Sequence, residues 1–289
     1  MADTAKSART NVVRAMTQDG GFRVVAACTT TLARDAAAVH KITGSAAAMY
    51  AELLTGAVLL RETMAPQYRL QLSVEAADGV RLMADAHPDG MTRGLATFPD
   101  GKPVVHFGPE AKLKASRIMH GGRLHQSVVA ASDVDGIGGA LMRYAQTSAQ
   151  VTATIGVACT DDSSGIRRCG GFVVQLLPDP PQAALMVMTE RLAHDFSDLG
   201  RMLERVDEDA RALADELLFG MEYSILSEQE AAIRCNCSSP RVVGALASLG
   251  RAEIARIVEE AELLSIDCDY CRTTYQVGPE QLRSLLVDS

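Results

Sequence analysis

The feature that most constrains this chain is a pair of pairs, Cys235-Asn-Cys237 and Cys268-Asp-Tyr-Cys271, with 30 residues between them. Short spacing lets two thiolates of one turn face a common point, and the intervening residues must fold the second pair back to complete a tetrahedron. Soft sulfur donors select zinc, and four of them leave no open position for water. One zinc ion per chain, held by Cys235, Cys237, Cys268 and Cys271, is therefore expected, and a hydrolytic zinc enzyme is not. Two other readings stay open at this point. Cys268 and Cys271 can be a thioredoxin-like redox pair, which needs a helix opening at the second cysteine, whereas Thr273, Thr274, Tyr275 and Val277 favour a strand there. The cluster can also be a purely structural zinc site.

The residues around the cysteines describe a small module. Ser238 and Ser239 before Pro240 suit a helix N-cap with proline in the first turn, and Val242, Val243, Leu246 and Leu249 carry the helix to a stop at Gly250. A second helix follows through Ile254, Ile257 and Val258. Leu263 to Ile266 reads as a short strand into the second pair and Thr273 to Val277 as one leaving it, before Gly278-Pro279 opens a last helix with Leu282, Leu285 and Leu286. A unit of fewer than about 60 residues commonly needs a metal or another staple. The cysteines supply it.

Upstream, the hydrophobic period decides the fold class. Lys41 to Glu62 reads as a mostly buried helix, with Tyr50, Leu53, Leu54, Ala57 and Val58 at helical spacing. The period then drops to two: Tyr68, Leu70, Leu72 and Val74 alternate with polar residues, and Val80, Leu82, Ala84 and Ala86 repeat the pattern after Asp78-Gly79, a hairpin turn signal. Val151 to Ala158 and the apolar run Gly171 to Leu177, stopped by Pro178 and Pro180, are further strands. The predicted class is α+β: a sheet-and-helix core domain over residues 1–188, an acidic helical linker over 189–232, and a zinc-binding domain over 233–289.

Charge supports those boundaries. Of the formal −8, residues 1–188 contribute 18 Lys+Arg against 16 Asp+Glu, 189–232 contribute 4 against 12, and 233–289 contribute 6 against 8. Phosphate neutralisation needs Lys and Arg, so an acidic zinc segment behind an acidic linker argues against a nucleic-acid partner. In the linker, Leu199, Met202, Leu203, Val206, Ala210, Leu213 and Leu217 form a helical stripe among acids such as Glu204, Asp207, Glu208, Asp209, Asp215 and Glu216. Either it is a solvated helical connection packed on the main domain, or it is a marginal helix whose like charges weaken its docking. The first twenty residues lack the apolar run of a signal peptide, and no window approaches a membrane helix, so a soluble, cytoplasmic chain is expected. Seven cysteines with no export signal suit a reducing compartment.

Other motifs carry less. Cys28, Cys159 and Cys169 are scattered and read as ordinary buried residues. Asp133-Val-Asp135-Gly136 lacks the later ligands of a calcium loop, and Gly136-Ile-Gly138-Gly139 lacks the full dinucleotide fingerprint. His120 and His125 are too far apart for a one-turn metal pair, and no nucleophile elbow is present. No enzyme site emerges.

The end of the chain resembles the 33-kDa heat-shock proteins, a family of redox-regulated holdase chaperones. The resemblance rests on Cys235-Asn-Cys237-Ser238, the Pro240 to Gly250 helix, Ile266-Asp267-Cys268-Asp269-Tyr270-Cys271 and Tyr275. Gly170-Gly171 through Gln175 to Pro178 is similar to the family's Gly-Gly to Gln-x-x-Pro segment, and Arg93-Gly94 to its Arg-Gly after the early hairpin. The chain departs from the family at His125-Gln126-Ser127, usually Tyr-Gln-Gly, and at Thr147-Ser148-Ala149-Gln150, usually Ser-Glu-Gln.

The resemblance implies a reduced, zinc-bound, inactive form. Oxidation by peroxide or hypochlorous acid then releases zinc and exposes apolar surface that holds unfolding client proteins without ATP, with homodimerisation among the implied interactions of the oxidised form. The implied disulfides are Cys235–Cys237 and Cys268–Cys271; in a folded site geometry alone does not choose between pairings. After the module unfolds, a loop of roughly 30 residues costs about 2 kcal/mol more to close than the short ones, although ring strain in the two-apart pair opposes this. Two rivals remain: a permanently folded zinc module that docks a protein partner, and a thiol oxidoreductase.

Overall fold

A computed structural model describes residues 11–76, 79–99, 101, 105, 107–132, 134–149, 152–260 and 263–287. The described residues fall into two compact units divided between Ile233 and Arg234.

The first unit opens with β1 (Val12–Thr17) and β2 (Phe22–Cys28), a hairpin, followed by α1 (Thr30–His40) and α2 (Gly44–Glu62). Next come β3 (Arg69–Glu75), β4 (Arg81–Ala86), β5 (Met91–Thr97), β6 (Lys112–Ile118) and β7 (Leu124–Ala130), then α3 (Gly136–Tyr144), β8 (Ala153–Asp162) and β9 (Gly165–Leu176). Three helices, α4 (Gln182–His194), α5 (Leu199–Arg205) and α6 (Ala210–Leu217), precede β10 (Tyr223–Gln229) and the short β11 (Ala232–Ile233). Two sheets result, ordered β10-β1-β2-β9-β8 and β11-β5-β4-β3-β6-β7. All their pairs are antiparallel except β11 with β5.

Helix α2 packs on β8 and β9 of one sheet and on β3 and β4 of the other. Its run of Ala and Leu is buried nearly all round, which is why the segment reads as apolar without a polar face. The expected hairpin is β3–β4, with Leu70, Leu72 and Val74 buried opposite Ala86, Ala84 and Leu82; its turn residue Asp78 lies outside the described residues. Gly94 on β5 sits where a Cβ would meet the Tyr50 hydroxyl and the Met83 carbonyl, so the Arg93-Gly94 step has a packing reason. Beside it the fully buried Asp85 carboxylate takes Arg69 at 2.5 Å and Arg93 at 2.9 Å, with His87 at 3.3 Å.

The five-stranded sheet is covered on both faces. Val25, Ala27 and Val173 point to the α2 side, whereas Val24, Ala26, Cys28, Phe172 and Val174 belong to a second core with α5 and α6. Strands buried on both sides read as continuous apolar runs, which accounts for Gly171 to Leu177. The acidic segment is thus built into the first unit: Leu199, Met202, Leu203, Val206, Ala210, Leu213 and Leu217 are all buried on the sheet. Asp198 and Asp209 cap α5 and α6 by accepting from Arg201, and from Arg211 and Ala212. The helical reading fails beyond α6, because residues 223–229 form β10, the edge strand that pairs with β1, from Tyr223 opposite Thr17 to Gln229 opposite Val12. Backbone pairing to an open strand outweighs helix propensity there.

The second unit contains α7 (Ser239–Leu246), α8 (Arg251–Glu260), β12 (Leu264–Asp267), β13 (Thr274–Val277) and α9 (Pro279–Val287). The two strands form an antiparallel hairpin, and α8 packs on α9. Among the described residues of this unit, the buried apolar side chains are Ile254, Val277 and Leu282. At about 1.5–3 kcal/mol each, they make too small a core to order such a unit by themselves.

Candidate metal centre

The β12–β13 hairpin positions the second cysteine pair. Ile266 stands opposite Tyr275 and Asp267 opposite Thr274, and the chain between them turns tightly. Within this turn Cys268 N–H donates to Thr273 O at 2.9 Å and Arg272 N–H to Cys268 O at 2.8 Å. Arg272 takes the left-handed conformation, φ 59°, that closes the turn. The backbone N–H groups of Tyr270 and Cys271 point at the Cys268 sulfur. Cys235 and Cys237 lie in the irregular segment before α7, where Arg241 Nη1 fixes the Asn236 carbonyl at 2.8 Å.

The four Sγ atoms all lie within 4.8 Å of one another. Two contacts run between the pairs: Cys235 to Cys268 at 3.8 Å and Cys237 to Cys271 at 3.3 Å. A tetrahedral zinc–thiolate site with bonds of about 2.3 Å has sulfur–sulfur edges of about 3.8 Å. The donor set therefore fits a thiolate-preferring metal in both chemistry and spacing, and Cys235, Cys237, Cys268 and Cys271 would hold it.

Two polar neighbours attend the sulfurs. Tyr275 donates its hydroxyl to Cys237 Sγ at 3.0 Å, and Thr273 Oγ1 lies 3.2 Å from Cys271 Sγ. Burial pushes the Cys237 thiol up to about 12 despite the Tyr275 bond, and the other three thiols add to the rise. Burial acts the same way on Cys271, but hydrogen bonding with the Thr273 hydroxyl and N–H, and with Cys237 and Cys268, brings it down to about 7. Cys271 is thus the readiest of the pair to ionise near neutral pH, and the remaining thiols must shed protons for a metal to bind. Spacing alone does not reveal the Tyr275 and Thr273 contacts; they follow from the β13 register.

Among the described residues, none of the other singled-out positions belongs to the four-sulfur group. Cys28 and Cys169 are buried and Cys159 is half-buried. His125 lies on the edge strand β7, with Nδ1 3.1 Å from Arg117 Nη2. Gly136 opens α3, and Asp133, Gln150 and Val151 lie outside the described residues. Among the described residues no helix is long and apolar enough to cross a membrane.

Residues 10–278 match the Hsp33 protein family. The 33 kDa chaperonin of Symbiobacterium thermophilum is 30% identical over 288 residues, covering 94% of this chain and 95% of that protein. Those of Acaryochloris marina and Geobacter sulfurreducens are 29% and 27% identical and cover 96% and 99% of this chain, and 96% and 98% of their own lengths. The crystal structure of the 33 kDa chaperonin from Thermotoga maritima superposes with a TM-score of 0.77 at 20% identity, over 97% of this chain and all of that one, and so shares its fold. With the four-sulfur cluster at the expected end of the chain and the family match running through both units, this chain belongs to the Hsp33 family.

Proposed function

We propose that this chain is a redox-regulated, ATP-independent holdase chaperone of the cytoplasm, not an enzyme, whose reduced form carries one zinc ion on Cys235, Cys237, Cys268 and Cys271. The observation that carries the reading is the pairing of a four-sulfur cluster with a unit in which, among the described residues, the buried apolar side chains are Ile254, Val277 and Leu282. Bound zinc supplies a tetrahedral cross-link worth on the order of 10–16 kcal/mol to such a fold. Each cysteine pair gives up two electrons to peroxide, forming one S–S bond while the peroxide is reduced to water. Oxidised sulfurs no longer bind metal, so the unit loses the link that holds it folded.

The first unit ends at Ile233, two residues before Cys235, and the elements preceding β10 along the chain are α5 and α6. Their release uncovers the sheet face bearing Val24, Ala26, Phe172 and Val174, an apolar surface suited to unfolding polypeptides. Oxidised Cys235–Cys237 and Cys268–Cys271 bonds, and dimerisation of the oxidised chain, belong to the same reading.

The test sets reduced and peroxide-treated protein side by side with a heat-unfolding client and no nucleotide, while a chromogenic chelator follows zinc. Aggregation should be suppressed by the oxidised protein alone, with one zinc released per chain. Single Cys→Ser changes at the four positions should lower zinc content, and changes at Cys28, Cys159 or Cys169 should not. Failure of the oxidised protein to protect the client would leave a permanently folded module that docks a protein partner.

A further inference from the structure

The geometry points to a second redox-active thiol pair in the sheet unit, in which Cys159 on β8 and Cys169 on β9 close a cross-strand disulfide. The two residues stand directly opposite in the β8–β9 ladder. Residues opposite one another in antiparallel strands alternate between wide, hydrogen-bonded pairs and narrow, non-hydrogen-bonded ones. The backbone of Cys169 settles which this is: its N–H donates to Thr30 Oγ1 at 3.1 Å and its carbonyl accepts from Thr29 N–H at 2.7 Å, so both point away from β8. Cys159 agrees, because its N–H serves the Glu52 carboxylate on the outer side of β8, the edge strand of the sheet. The pair is therefore the narrow kind, with Cα atoms about 4.5 Å apart, inside the range a disulfide spans.

The side chains share a face as well. Cys169 belongs to the core on the α2 side and Cys159 packs against that same core, and the two thiols hydrogen-bond to one another. Cys28 lies in the core on the opposite face of the sheet and cannot compete. Half-buried Cys159 is the sulfur that peroxide reaches, and buried Cys169 is the resolving one. Cys159 attacks one peroxide oxygen and becomes a sulfenic acid with loss of water; Cys169 then attacks that sulfur, a second water leaves, and the S–S bond has cost two electrons and two thiol protons. The hydrogen bond with Cys169, burial and the nearby Glu52 and Asp161 carboxylates keep Cys159 protonated, while the same hydrogen bond favours ionisation of Cys169. The bond staples edge strand β8 to its neighbour across nine intervening residues.

The inference stands on the first unit alone and is independent of what the zinc cluster does. The test is a peroxide time course on the full reduced chain, quenched by alkylation and mapped with trypsin without reduction. Arg167 and Arg168 lie between the two cysteines, so cleavage separates them unless a disulfide joins the fragments. The expected result is a linked pair of peptides lighter by two hydrogens, absent from Cys159→Ser and unchanged in Cys28→Ser. In Cys169→Ser, Cys159 should instead accumulate as a sulfenic acid trapped by dimedone. Alkylation of both Cys159 and Cys169 as free thiols after prolonged peroxide treatment, or linkage of Cys159 to any other cysteine, would overturn the assignment.

Discussion

Replacing Met202, Leu203 and Val206 with serine should free the acidic helices from the sheet while the zinc cluster stays loaded. All three side chains are buried in the core shared with β2 and β9, and Leu203 Cδ2 packs over Gly170 so closely that a Cβ there would lie 2.7 Å away. At about 1.5–3 kcal/mol per buried side chain, the triple change removes about 5–9 kcal/mol. That is comparable to the whole stability of an ordinary domain, about 5–15 kcal/mol, so α5 and α6 cannot stay docked at their present population. The sheet keeps its other face, where Val25, Ala27 and Val173 pack with α2, and should remain folded. Amide exchange reads both parts: protection should vanish over residues 199–217 and persist over 46–60. The same sample, reduced and with full zinc content, should suppress aggregation of a heat-unfolding client. Retained protection over 199–217 would refute the energetic argument, and lost protection without chaperone activity would refute the assignment of this sheet face as the client surface.

Three further outcomes are expected. Asp85→Asn should destabilise the first unit by about 3–5 kcal/mol in urea titration, because Arg69 and Arg93 lose their buried counter-charge. Desolvation opposes ionisation of Asp85, but His87, Arg69 and Arg93 together hold its carboxyl well below the usual range. The wild-type advantage is therefore complete above pH about 4 and should shrink as pH falls below it. Glu208→Gly should be neutral or stabilising by up to about 1 kcal/mol, since Glu208 sits at φ 67° and loses only a surface ion pair with Arg168; a thermal loss above that would show the pair to matter more than the strain. Peptide mapping after full oxidation should find Cys235–Cys237 and Cys268–Cys271; finding instead Cys237 and Cys271, whose sulfurs lie 3.3 Å apart in the folded cluster, joined would mean that the bonds form before the unit unfolds.

What could be read in advance depended on whether a residue's role is set by its neighbours in sequence. Helix α2, the β3–β4 hairpin, and the order helix, helix, strand, strand, helix around the cysteines all announce themselves in local period and turn chemistry. The β1–β2 hairpin also carries a local signal: Asp19-Gly20 turns between two apolar runs, with Gly20 at φ 72°. Strand β10 is hidden in the sequence because acidic residues around Tyr223, Ile225 and Ser227 mask an alternation that the pairing with β1 makes plain. Likewise, Cys159 and Cys169 look scattered until the β8–β9 register sets them opposite one another. Spacing picks out the four clustered cysteines, but the cross-pair sulfur contacts and the Tyr275 bond depend on how two distant segments meet.

The charge of the acidic segment needs a different account from simple self-repulsion. Residues 189–232 carry 4 Lys+Arg against 12 Asp+Glu, yet in the docked state many of these acids have work. Asp207 and Glu208 pair with Arg168, and Glu204 with Arg167, both arginines belonging to β9. Glu216 and Glu228 pair with Arg205 and Arg211, and Asp198 and Asp209 cap their helices. Each surface pair is worth only about 0–1 kcal/mol, so the buried stripe, not the charge, holds the helices down. Once the helices leave, however, the β9 arginines are lost to them, and the acids face mainly one another, which favours an extended chain over redocking. Salt weakens the pairs of the docked state and the repulsion of the released one together. The two effects offset, so docking should answer to the apolar stripe and to the thiols far more than to ionic strength.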